Sequence, residues 1–94
     1  MLTIALLLQL AVDDRVKVEA EATCARRPAA ERAACVDAQL QAAGRTFAAA
    51  NVGDDTTPVA IGRCLEASRT DGAIDWTVAA TCANDYAKAH PAAE

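Results

Sequence analysis

Residues 64–82 read Cys64-Leu-Glu-Ala-Ser-Arg-Thr-Asp-Gly-Ala-Ile-Asp-Trp-Thr-Val-Ala-Ala-Thr-Cys82. Near the middle stands Asp71-Gly72. Glycine takes positive φ at no steric cost and aspartate tolerates it, so this dipeptide marks a tight turn. Upstream of the turn, Ile61, Cys64, Leu65 and Ser68 recur at three- and four-residue steps, the spacing of one helix face. Thr57-Pro58 reads as the N-cap and first-turn proline of that helix, which runs to about Ser68. Downstream, Asp75 caps a helix that continues to Ala89 and stops at His90-Pro91. Its inner face is expected to carry Val78 or Ala79, then Cys82, Tyr86 and Ala89. Each cysteine lies about two helical turns from the bend, so the two sulfurs can meet across it.

The upstream half repeats this plan. Cys24 is followed by a turn marked by Pro28, then by a helix with Cys35 in its second turn. Pro28 suits the first helical position, and Ala29 to Ala43 contains no breaker before Gly44. Ala29, Ala33, Val36, Leu40, Ala43 and Phe47 form the expected inner stripe. From Gly44 to Thr57 the chain holds Asn51, Gly53, Asp54 and Asp55 and reads as a loop. The expected fold is therefore all-α: a small bundle of two disulfide-stapled helical hairpins, about residues 23–45 and 57–90. The preferred bonds are Cys24–Cys35 and Cys64–Cys82, and the nested pairing Cys35–Cys64 with Cys24–Cys82 is the alternative. Closing loops of about 12 and 19 residues gives roughly 3 kcal/mol each in the chain-entropy model.

Such staples matter because the core is thin. The chain has 94 residues, enough for one domain. It is 53% hydrophobic, but alanine makes up about a quarter of it, and alanine forms helix well while burying little area. Charge balance argues about partners. The net charge of −4 is spread over interspersed acids and bases, and aromatics are 3% of residues. No basic stripe follows a phosphate backbone and few rings are available to stack on bases, which disfavours nucleic acid.

Residues 2–12 are the one strongly apolar run. As a helix they rise about 16 Å, against roughly 30 Å of hydrocarbon, so the mature chain is expected to carry no transmembrane span. Their length fits the core of a secretory signal, and Ala20-Glu21-Ala22 offers a small-x-small cleavage site that leaves Thr23 first. Against this, no Lys or Arg precedes the run, and Asp13 to Glu21 is densely charged. The opposite charges of Asp13/Lys17, Arg15/Glu19 and Lys17/Glu21 support a helix, while Val16, Val18, Ala20 and Ala22 alternate as in a strand. Residues 1–22 are read as a signal peptide or membrane-proximal anchor ahead of a single helical domain, 23–94. A hydrophobic N-terminal helix of the mature fold is the alternative.

Little in the chain carries chemistry. His90, the single histidine, sits where a helix ends, and a cationic ring there favours the helix dipole. Asp54/Asp55 lack the alternating spacing of a calcium loop, and Asp71 and Asp75 read as turn and cap. No P-loop, nucleophile elbow, dinucleotide fingerprint or metal-ligand spacing is present, so no cofactor, metal or catalysis is expected. The residues best suited to binding are Arg26 and Arg27, a cationic pair beside the first turn, and Trp76 and Tyr86, aromatics on the last helix. The expected function is an exported, periplasmic or secreted, non-enzymatic binding protein for an unknown protein partner or small ligand. A self-associating assembly protein and a thiol-based metal or redox protein are the alternatives.

Overall fold

An alanine-rich chain winds into helix wherever no proline or turn residue stops it. The computed structural model describes residues 14–93 and contains four helices over that span. Helix α1 covers 14–24, α2 Ala29–Ala48, α3 Thr57–Ala67 and α4 Trp76–Ala89. A short 3₁₀ turn, Ala49–Asn51, extends α2, and two short strands, β1 (Arg69–Thr70) and β2 (Ala73–Ile74), join α3 to α4. The apolar run 2–12, on which the signal reading rests, lies outside the described residues.

Both staples form in the sequential pairing. Cys24–Cys35 holds α1 to α2 and Cys64–Cys82 holds α3 to α4, with Cα–Cα distances of 5.8 and 5.7 Å. Cys35 and Cys82 occupy the same place in their helices, each the seventh residue counted from Ala29 and from Trp76. The first hairpin reaches further upstream than residue 23, because its incoming arm is the whole of 14–24.

The Asp71-Gly72 turn is a two-residue β-hairpin. Asp71 has φ 52° and Gly72 φ 85°, and Thr70 pairs with Ala73 and Arg69 with Ile74. Both central residues at positive φ match the right-handed twist of the flanking strands, which is why Asp-Gly is favoured there. Pairs in an antiparallel ladder alternate in whether they exchange hydrogen bonds. Asp75 N–H donates to Ser68 C=O at 3.0 Å, so the Arg69–Ile74 pair between is the non-bonded kind. The polar groups of Ile74 therefore face outward. Helix α1 satisfies both: Glu19 Oε2 accepts from Ile74 N–H at 2.9 Å, and Thr23 Oγ1 donates to Ile74 C=O at 2.5 Å. Glu19 turns to the hairpin rather than along its own helix, and its second oxygen lies 3.8 Å from Arg69 Nη1.

The core sits between α2 and α4. Ala42 and Ala43 meet Ile74, Trp76, Ala79 and Ala80 at one end, with Val16 and Leu65 against them. Ala49 meets Ile61, Ala83 and Ala87 at the other. The two helices thus run parallel, each antiparallel to its stapled partner, and both stapled turns lie at one end. This corrects the expected faces. Leu40 and Phe47 are 38% and 43% exposed, Ala29, Ala33 and Ala89 are exposed, and Cys82 and Val78 lie on the outer side of α4. Alanine occupies the centre because its small side chain allows close helix approach, and larger side chains are displaced to the flanks, where there is room.

Three boundaries also shift. Gly44 does not end α2, because Thr46 and Ala49 in the next turn are buried and their packing outweighs glycine's weak helix preference. Pro28 is the N-cap residue, not the first helical one, with ψ 147°. Thr56, not Thr57, takes the N-cap position of α3, without a capping bond from its side chain, because Asp54 Oδ1 accepts from Thr56 N–H at 2.9 Å and winds the chain one residue early.

Candidate functional site

Where the two stapled turns meet, the chain leaves a groove of about 630 Å³. One wall is the exposed N-terminal half of α2. Ala30, Ala34 and Ala38 recur there every four residues, one above another, and no long side chain projects from them to fill the space. The other wall comes from the last turn of α1, the β-hairpin and the start of α4, through Thr23, Thr70, Asp71 and Thr77.

Charge lines the rim. Arg26, just past α1, forms an ion pair with Asp71 at the tip of the hairpin and so ties the two turns together across the mouth. Both side chains are well exposed, and pairs of this kind contribute at most about 1 kcal/mol. Arg27 and Glu31 are exposed on the α2 side. The Arg27 carbonyl accepts from Arg32 Nε at 3.0 Å, which holds the first turn in shape.

The inner end of the groove is a hydrogen-bond network. Asp75 Oδ1 accepts from Thr77 N–H at 3.1 Å and Thr77 Oγ1 at 2.6 Å, capping α4. It also accepts from Gln39 Nε2 at 3.0 Å, while Gln39 Oε1 accepts from Trp76 N–H at 2.6 Å. Burial pushes the Asp75 carboxyl up, but the bonds from Thr77, Gln39 and the Val78 N–H outweigh it and leave the group below its ordinary value. Gln39, 5% exposed, is the residue that sequence reasoning missed. Gln41 follows two residues later, and no local signal separates the buried glutamine from the exposed one.

The four residues expected to bind fall in three places. Arg26 and Arg27 lie on the groove. Trp76 is 3% exposed in the core, its ring centre 5.5 Å from that of Phe47. Tyr86 lies at the opposite end of α4, about 15 Å along the axis from Trp76. There its ring stacks on His90 at 4.0 Å. Its hydroxyl meets Thr56 Oγ1 at 2.6 Å, and Thr56 in turn donates to Asp54 at 2.5 Å. The bonds from the Thr56 hydroxyl and then the Thr56 N–H, with a smaller pull from His90, hold the Asp54 carboxyl below its usual value. Asp54 N–H donates to His90 C=O at 2.7 Å and Gly53 bridges to Pro91, so this cluster ties the 52–57 loop to the chain's end.

Chemically, the groove offers hydrogen-bond donors, two guanidinium groups, carboxylates and an alanine wall. His90 lies far from it, and all four sulfurs are paired as disulfides, so none is available as a thiolate ligand or nucleophile. Among the described residues no helix is long and apolar enough to cross a membrane. Comparison with known proteins finds no matching family model, no matching curated protein and no matching solved structure.

Proposed function

We propose that the protein is an exported, non-catalytic binding module that takes a peptide segment of a protein partner into the groove between its two stapled turns. The observation that carries this reading is the groove itself, open between turns that are each pinned by a disulfide and joined by Arg26 and Asp71. Pinned walls lose little conformational freedom on binding, which favours affinity. The alanine wall admits the backbone of an extended segment closely, and Arg27 and Glu31 offer charges of both signs to its side chains. Export is supported by the two disulfides, which persist in oxidising compartments.

The test is panning a random-peptide library against the oxidised protein. Selected peptides are expected to shift the amide resonances of residues 26–38 and 70–77. They should lose binding to Ala34→Arg and keep it with Val59→Arg, on the far side of α3. Peptides indifferent to Ala34→Arg would remove the groove as the site.

Self-association is the second reading, favoured by Leu40 and Phe47, half-exposed at the flanks of α2. Sedimentation of a strict monomer at high concentration counts against it, and a dimer dissociated by Leu40→Glu supports it.

A further inference from the structure

Cleavage after Ala22 would leave a folded domain beginning at Thr23, yet the residues ahead of that point are built into the domain. Ala20 is fully buried and Cys24 is 1% exposed. Val16 packs on the cluster of Ala42, Ala43, Ile74 and Trp76. We infer that the mature exported protein keeps α1 and that Ala20-Glu21-Ala22 is not its processing site; the inference rests on the export reading above.

Three consequences of such a cut carry the argument. Removing Glu19 leaves the outward N–H of Ile74, a residue 6% exposed, without its acceptor at 2.9 Å. The same cut strips the cover from that edge, so a charge-assisted hydrogen bond under α1 is exchanged for one to water and the hairpin loses its tie to the helix. Arg69 loses a carboxylate at 3.8 Å at the same time. Removing Val16 uncovers one side of the apolar cluster around Trp76, in a molecule whose core has few large side chains. Finally, Cys24–Cys35 would be left holding two helical residues, Thr23 and Cys24. The disulfide joins α1 to α2, and what it tethers is the helix upstream of Cys24. The matching bond, Cys64–Cys82, joins two complete helices in the same way.

The experiment is an intact-mass measurement on the protein from its native host's fractions, alkylated with and without prior reduction, for the wild type and Ala22→Leu. Ala22 is exposed on a helix, so leucine leaves the fold intact, while a bulky residue at the cleavage position blocks a small-x-small site. The expected result is an extracytoplasmic chain that starts at or upstream of Asp14, exposes its four thiols only after reduction, and has the same N-terminus and yield in Ala22→Leu. An exported wild-type chain starting at Thr23, or accumulation of unprocessed Ala22→Leu precursor, overturns the inference and leaves export standing. A chain confined to the cytoplasm with free thiols overturns the export reading, and the inference with it.

Discussion

Gln39, in the middle of α2, holds the backbone N–H of Trp76, the first residue of α4, at 2.6 Å. The first N–H groups of a helix have no partner within it. Here one is supplied from another helix, and the same side chain steadies Asp75, the local cap, at 3.0 Å. Relative placement of the two central helices and capping of α4 are thereby one interaction.

Gln39→Leu is expected to destabilise the protein by about 1–3 kcal/mol, the cost of a buried backbone donor left unmade. Thermal unfolding should show a midpoint lower by roughly 4–8 °C per kcal/mol for a chain of this size. Gln41→Leu, one of the exposed positions of α2, should leave the midpoint near wild type.

Acid sensitivity should follow Asp75. Its folded-state pKa lies below the ordinary 3.8, so its contribution is present above that value and is lost as pH falls through the folded pKa. Asp75→Asn is expected to be less stable than wild type at neutral pH and to lose less below about pH 4. Equal acid limbs in the two proteins, measured by denaturant titration across pH, would remove this role.

Trp76 is the single tryptophan and reports on its own cover. Phe47, at 5.5 Å and an interplanar angle of 55°, shields it from one side. Phe47→Ala should shift the emission to the red and cost about 1–3 kcal/mol through lost burial and ring contact. Tyr86→Phe, at the far end of α4, should leave the spectrum in place.

Gly53 is closed to any side chain. A Cβ there would lie 2.1 Å from Thr57 Oγ1, a fully buried atom without a hydrogen-bond partner among the described residues. Gly53→Ala is expected to cost about 1–3 kcal/mol by overpacking. Adding Thr57→Ala should recover part of that cost, so the two substitutions are non-additive in a double-mutant cycle.

Gly44 is the opposite case. Nothing stands within 4 Å of the position its Cβ would take, and it lies inside α2. Gly44→Ala should stabilise the protein by about 0.5–1 kcal/mol and raise the unfolding midpoint.

The sequence by itself determined the parts of this protein that depend on a few neighbouring residues. The turn at Asp71-Gly72, the cap at Asp75 and the stop at His90-Pro91 follow from local backbone preference, which acts over three or four residues. The class of fold follows too; the sequential disulfides were the preferred of two pairings the sequence left open, and the structure shows them formed. Of the site, Arg26 and Arg27 were legible as a pair of charges beside the first turn, though not the groove they border.

Only the tertiary structure decided which face of each helix turns inward. With alanine on every side, α2 and α4 present several nearly equal stripes, and the choice falls to how closely two backbones can approach. That choice left Leu40 and Phe47 half-exposed at the flanks, carried α2 through Gly44, and put Gln39 where α4 needs an acceptor. It also gave Glu19 and Thr23 the outward edge of Ile74 and opened the groove between the two turns. Each of these relations joins residues at least 36 apart in sequence or depends on one that does. Local preference carries no information at that range; burial and hydrogen-bond satisfaction across the assembled helices supply it.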